Sequence, residues 1–235
     1  MPTMESVGFA AFDEKRVNVS LNDTNPLTSD HAVGGILKRA VDIIIASTAL
    51  LMLAPLFVMV AIAVKLAAPG PALYGHSRVG YQGRTFRCWK FRSMVTDGDR
   101  VLQEYLTQNP QERDTWERDR KLRNDPRVTR IGAVLRAYSV DELPQLINVL
   151  FGDMSIVGPR PVVDDELAMY GTAAPIYLSA RPGITGLWQV SGRSDTSYEQ
   201  RVSFDTTYVQ GWSLVSDISI ILRTIPAVVS SRGSY

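Results

Sequence analysis

Ile43-Ile-Ile-Ala-Ser-Thr-Ala-Leu-Leu-Met-Leu-Ala54-Pro55-Leu-Phe-Val-Met-Val-Ala-Ile-Ala-Val64 decides how the rest of the chain is read. These 22 residues carry no charge. As one straight helix they would extend about 33 Å, against a bilayer core of about 30 Å. The run lies too deep for a secretory signal, and residues 1–42 lack the short basic segment that opens one. Length alone therefore reads as a transmembrane helix. Two features oppose that reading. Pro55, near the middle, removes one helical N–H and crowds the preceding turn, so a kink or break is expected. The flanks are basic on both sides, with Lys38 and Arg39 before and Lys65, Arg78, Arg84, Arg87, Lys90 and Arg92 after, and no acid between residues 65 and 94. Cationic flanks favour the cytoplasmic side. A spanning helix satisfies one flank. A re-entrant hairpin that enters to Pro55 and returns satisfies both, with arms 43–54 and 56–64 each too short to span. Backbone freed at Ala54-Pro55 would need an internal partner such as Ser47 or Thr48. The residues by themselves leave both topologies open.

Outward from that run, composition narrows the function. A chain of 235 residues, 45% of them apolar, supports one folded domain with appendages. A net charge of +1 argues against a general nucleic-acid binder. One cysteine, Cys88, and two histidines, His31 and His76, exclude a disulfide framework, a multi-cysteine zinc site and a His-rich metal centre. Residues 1–32 are polar and irregular and read as a mobile tail. The segments 74–79 and 84–91 read as a β-hairpin around Gly80-Tyr-Gln-Gly83. Twelve of the twenty residues 111–130 are charged with both signs, which reads as solvated helix surface. Amphipathic helices follow from Val128 and from Leu143 to the stop at Gly152. Residues 214–229, after Tyr208 and Trp212, suit either a core-facing helix or one lying in the membrane interface.

Ser139-Val-Asp141-Glu142-Leu-Pro144 is the sharpest local signal. It has a plain reading: Ser139 and Glu142 as a capping box, or Pro144 as a first helical residue. It also has a chemical one. Two adjacent carboxylates at a helix start divide labour, one oxygen attacking phosphorus while the neighbour holds a hard cation. Positive charge for phosphate lies elsewhere in stiffened loops: Gly158-Pro-Arg160-Pro161, Arg181-Pro-Gly183 and Gly192-Arg193, with Arg136 a turn or two before the acids. Guanidinium forks match phosphate oxygens, and the combination reads as a diphosphate site near a bilayer. The sequence has no GxGxxG, Walker, HExxH or GxSxG motif.

Lys90-Phe-Arg-Ser-Met94, Leu135-Arg136, the Asp141-Glu142 segment through Gln145, Met154-Ser-Ile-Val-Gly-Pro-Arg-Pro161 and Arg181-Pro-Gly-Ile-Thr-Gly-Leu-Trp-Gln-Val-Ser-Gly-Arg193 resemble the bacterial sugar transferases. These are monotopic phosphoglycosyltransferases that initiate surface polysaccharides, and the resemblance runs from about residue 34 to 235. In detail the chain is most similar to the small exopolysaccharide-initiating enzymes. The resemblance implies a mostly helical α+β fold: a re-entrant membrane helix over 33–68 broken at Pro55, and a cytosolic catalytic domain over 69–235 with a small β element and interfacial helices. It implies transfer of galactose- or glucose-1-phosphate from a UDP-hexose to undecaprenyl phosphate. Asp141 would be the nucleophile that forms a glycosyl-phosphoryl-aspartate and releases UMP, and Glu142, with Asp141, would hold Mg²⁺. Lys90, Arg92, Arg136, Arg160, Arg181 and Arg193 are the expected phosphate-binding residues. The implied setting is the cytoplasmic face of a bacterial inner membrane, in contact with its lipids, with pairing into a homodimer left open. One departure stands out: many members carry Ser-Pro at the break, where this chain has Ala54-Pro55. Two rivals remain. One is a non-catalytic, acidic-lipid-binding scaffold of a polysaccharide assembly complex, in which the acids are only caps. The other is a one-step glycosyltransferase that releases UDP.

Overall fold

A computed structural model describes residues 31–119, 122, 124–191 and 196–229. The apolar run lies inside one helix, α1 (Gly35–Ala67), which continues through Pro55. Its 33 residues give it a contour of about 50 Å. The two arms foreseen on either side of Pro55 are thus a single element in hydrogen-bonded terms. At its start Gly34 has φ 84°, and a Cβ there would fall 2.6 Å from Lys38 Cβ and 2.8 Å from the Trp212 ring, so only glycine fits. At its end Arg92 donates to Ala68 O (2.6 Å) and Pro69 O (2.9 Å), closing carbonyls that the helix leaves open.

Both halves of α1 pack on the same domain. Ala46, Ala49, Leu50 and Leu53 join Leu146, Val149 and Ile156 in one core cluster. Phe57, Val60 and Val64 join Phe91 and Leu135 in another, with the Phe57 and Phe91 rings 5.4 Å apart. The outer face is a different matter. Ile36, Leu37, Ile44, Leu51, Met52, Val58, Met59, Ile62 and Leu66 are each more than half exposed. An apolar stripe of that extent does not face water in a lone soluble domain, and it is compatible with membrane insertion.

The first turns of α1 are riveted by buried charge. Lys38 Nζ lies 2.8 Å from Asp217 Oδ2 and 3.9 Å from Asp42 Oδ1. Asp42 accepts from Ser155 Oγ (2.8 Å) and the Ile156 amide (3.0 Å), while Asp217 accepts from Tyr208 Oη (2.7 Å) and Trp212 Nε1 (3.1 Å).

Strands β1 (Leu73–Val79) and β2 (Thr85–Phe91) form the foreseen antiparallel hairpin, in register from Leu73↔Phe91 to Val79↔Thr85. Tyr74, His76 and Arg78 therefore share a face with Phe86, Cys88 and Lys90. The charged stretch yields α2 (Gly98–Gln108) and α3 (Pro110–Asp119), followed by α4 (Arg130–Ala137). Gly132 lets α4 close on the chain after β2, since a Cβ there would sit 1.9 Å from Ser93 O. A 3₁₀ turn (Val140–Glu142) leads into α5 (Gln145–Phe151). No sequence pattern marks the second sheet. It is the parallel pair β3 (Ser155–Val157) and β4 (Gly183–Thr185), with α6 (Asp164–Ala168) and α7 (Ala174–Leu178) between them. Then come α8 (Leu187–Ser191), α9 (Tyr198–Gln210) and α10 (Leu214–Val229). Helix α10 buries Asp217 and Ile220 and exposes Val215, Ile218, Leu222 and Ile225, so it is core-facing on one side and apolar to the outside on the other.

Candidate active site

Asp141 and Glu142 sit in the 3₁₀ turn ahead of α5, and the turn is not the capping box that the spacing allowed. Ser139 has φ 55°, in the left-handed region that costs a non-glycine residue, and its side chain caps nothing. Helix α5 starts later, with Pro144 as its N-cap residue rather than a first helical position. Asp141 is buried. Burial, with the neighbouring Glu142 charge adding, pushes its carboxyl up to about 6, against the pull of Lys90 and Arg136. Glu142, whose side chain is a third exposed, behaves oppositely. Burial would raise it, but Lys90, with Arg160 and Arg78 beyond, holds it below the ordinary carboxylate range. The Lys90 Nζ–Glu142 Oε1 distance is 2.5 Å.

Lys90 reaches the acids because α5 clamps β2. Asn148, fully buried, accepts from the Trp89 amide (3.0 Å) and donates to Arg87 O (2.8 Å), acting as an extra rung on the strand. Its amide also donates to Asp153 Oδ2 (3.1 Å), which makes Asp153 a turn residue. Arg136 lies on α4 within electrostatic reach of Asp141 and of Asp125. Asp125 itself is taken by Arg127, which also stacks on Trp116. Arg160 is held out by the stiff loop after β3. The Gly158 amide bonds Thr185 O, and a Cβ at Gly158 would fall 2.4 Å from Arg181 O. The Arg160 guanidinium lies over Trp188 at 5.2 Å, and its buried Nε has no partner.

Asp141, Glu142, Lys90, Arg136 and Arg160 are therefore one site. Two of the foreseen phosphate ligands lie elsewhere. Arg92 is spent on the end of α1, as described above. Arg181 Nε donates to Gly152 O (2.9 Å), past the far end of α5, which is about 10 Å long. In both cases, helix-terminal carbonyls compete successfully for the guanidinium. Arg193 lies outside the described residues. Three further charged side chains come with Arg160: Arg78 on β1, Glu166 on α6 and Arg201 on α9. Glu166 pairs with Arg78 (3.4 Å) and Arg201 (3.3 Å). They are far apart in sequence, and the one local signal is Arg201 standing four residues before Asp205 on α9. Asp205, buried beside them, donates nothing and accepts from Tyr170 Oη (2.7 Å); burial pushes it up to about 6.

The donor set suits one metal class. No cluster of three His, Cys, Asp or Glu side chains forms a metal cage among the described residues. Two adjacent hard oxygen donors, one of them raised by burial, match Mg²⁺, which binds through one or two carboxylates and completes its shell with water and substrate phosphate.

Comparison with known proteins gives the chain's relatives. The family model described as "Bacterial sugar transferase" matches residues 33–231. The exopolysaccharide production protein ExoY of Sinorhizobium fredii is 58% identical over 203 residues, covering 86% of this chain and 90% of that protein. The undecaprenyl-phosphate galactose phosphotransferase of Salmonella typhimurium is 50% identical over 199 residues, 85% of this chain and 42% of its own length. The UDP-glucose:undecaprenyl-phosphate glucose-1-phosphate transferase of Caulobacter vibrioides is 41% identical over 208 residues, 84% and 72% respectively.

Proposed function

The chain belongs to the bacterial sugar transferase family, and on that premise we propose that it moves a hexose-1-phosphate from a UDP-hexose to undecaprenyl phosphate at the start of exopolysaccharide assembly. The observation that carries the reading is the buried Asp141 carboxylate on a strained turn, beside Glu142 and near Lys90 and Arg136, with Arg160 on the Glu142 side. With its carboxyl at about 6, Asp141 is largely ionised at neutral pH and under-solvated, which is the condition of a nucleophile.

A carboxylate oxygen of Asp141 attacks the β-phosphorus. The bond from that phosphorus to the bridging oxygen breaks, and the bridging oxygen leaves with UMP. A phosphate oxygen of the lipid then attacks the same phosphorus and expels Asp141, giving a hexosyl diphosphate lipid. Lys90 fixes Glu142 and lends charge to the diphosphate, and Arg160 and Arg136 supply guanidinium forks. Asp141 and Glu142 would hold Mg²⁺, which when bound screens the diphosphate and stabilises charge on the leaving group.

Helix α1 enters and leaves the membrane on the cytoplasmic side of the inner membrane. Its two ends and both halves contact one domain, which supports a bend about Pro55 and a shared face for both basic flanks. Single cysteines at residues 33 and 71, in a Cys88→Ser background, test this in sealed inverted vesicles. Both react with an impermeant thiol reagent if the helix re-enters, and only one reacts if it spans. The chemistry is tested by incubation with UDP-galactose and UDP-glucose, scoring UMP against UDP. UDP as product returns the one-step glycosyltransferase. The scaffold reading needs Asp141 and Glu142 as dispensable caps, and a buried Asp141 near Lys90 and Arg136 does not favour it.

A further inference from the structure

Around Glu166 the charges do not balance. Its Oε1 faces Arg201 Nη2 at 3.3 Å, its Oε2 faces Arg78 Nη1 at 3.4 Å, and the same Oε2 takes the Val163 amide at 3.3 Å. Charge-assisted bonds of this kind normally close to about 2.7–2.9 Å, so one carboxylate is loosely shared between two guanidinium groups. Arg160 is the third cation within electrostatic reach, alongside Arg201 and Arg78. Of the other acids nearby, Glu142 is held by Lys90, and Asp205 gives Oδ2 to Tyr170 while its buried Oδ1 makes no hydrogen bond to either guanidinium. Arg201 is only 13% exposed, its buried Nε has no partner, and its guanidinium lies 5.1 Å from the Trp188 ring centre and 4.7 Å from that of Tyr198. Arg160 stacks on the same Trp188. Two stacked, desolvated guanidinium groups short of acceptors call for an anion with many oxygens.

The position selects the source of that anion. Asp141 has Arg136 as its own cation, on α4, which packs against α1 and the membrane-compatible face. Glu142 has Arg160 and Arg78 on the other side, where Tyr198 and Val202 at the start of α9 pack with Tyr177 of α7, while Tyr208 and Val209 near its end join the α1 cluster. A lipid phosphate reaches the acids from the α1 side. A soluble nucleotide reaches them from the Trp188 side.

We propose that Arg201, tethered by Glu166 and stacked with Arg160 on Trp188, is a second substrate-binding residue that grips the diphosphate of the nucleotide donor and leaves the lipid phosphate to the Arg136 side. The inference rests on the reading that UMP is released from a UDP-hexose.

The test uses the full chain in nanodiscs as wild type, Arg201→Met and Arg201→Lys. The measurements are UMP affinity by titration calorimetry, KM for the UDP-hexose, KM for the lipid phosphate, and Tm. Losing a charged hydrogen bond to phosphate should raise UMP Kd and UDP-hexose KM about tenfold or more in Arg201→Met. The lysine variant should recover part of that loss, with the lipid KM changed less than about twofold; it also serves as the readout should the methionine variant not fold. A folded Arg201→Met with unchanged UMP Kd and UDP-hexose KM overturns the inference alone, and so does an increase confined to the lipid KM. A wild type that neither binds nor releases UMP overturns the underlying reading, and the inference falls with it.

Discussion

Lys38→Met should be the most damaging conservative-volume change outside the acids. Lys38 and Asp217 are paired at 2.8 Å with side chains only 8% and 7% exposed, and Lys38 also lies 3.9 Å from Asp42. Removing the cation leaves two buried carboxylates facing each other. Breaking a buried pair from one side costs about 3–5 kcal/mol, because the surviving charge is stranded. Two donors remain on each acid: Ser155 Oγ and the Ile156 amide on Asp42, Tyr208 Oη and Trp212 Nε1 on Asp217. That puts the loss toward the lower end. For a chain of this size, about 2–4 °C per kcal/mol converts it to a Tm fall of about 6–15 °C. Asp217→Asn should cost less, since Lys38 keeps Asp42, and the double variant should regain part of the loss of Lys38→Met. Scanning fluorimetry in one detergent at one scan rate compares all four proteins. A fall under about 2 °C for Lys38→Met, or a larger fall for Asp217→Asn, would refute the view that Lys38 is the shared counter-charge that fastens α1.

Asn148→Ala should lower Tm by stranding the Trp89 amide and Arg87 carbonyl, about 1–3 kcal/mol, and should lower UMP release by loosening Lys90 from Glu142; both are read on the same preparation. Gly132→Ala should disrupt the α4 contact with Ser93 and reduce turnover, because the added methyl meets backbone at 1.9 Å; unchanged activity would contradict that close approach. Asp205 carries a pH signature. Its folded value of about 6 lies above the ordinary 3.8, so the fold favours the protonated form. Its contribution is complete below about pH 4, is lost by about pH 6, and amounts to at most about 3 kcal/mol. The Tm of Asp205→Asn relative to wild type should therefore rise between those pH values and then level off; a flat difference would contradict the burial argument.

Much of this is legible in the sequence alone. The β-hairpin and the amphipathic helices follow from period and turn residues; Asp141, Glu142, Arg136 and Arg160 stand out as charges at a helix start or in stiffened loops, and Lys90 joins them only through the family resemblance. What was not legible has physical causes. Strands β3 and β4 are three residues each, too short for an alternating pattern, and are fixed by glycine-backed contacts such as Gly158 against Gly183. Arg92 and Arg181 sit in motifs that suggest phosphate, yet open helix carbonyls claim them, a competition that sequence does not display. The Ser139 spacing matched a cap, and only its left-handed backbone shows otherwise. Arg78, Glu166 and Arg201 meet only through the fold, and the sequence signal that could have marked Arg201 was its place four residues before a buried acid on one helix face.

The central claim is that Asp141 becomes covalently phosphorylated by the sugar donor. Intact-protein mass spectrometry after rapid quench tests it most directly, with the wild-type chain, Mg²⁺, a UDP-hexose and no lipid acceptor, and Asp141→Asn as the control. The account predicts a hexose-phosphate adduct on the wild-type chain, with one equivalent of UMP, and neither in the variant. UMP formed only when polyprenyl phosphate is present, with no adduct at any quench time, would contradict it, as would an adduct that survives Asp141→Asn.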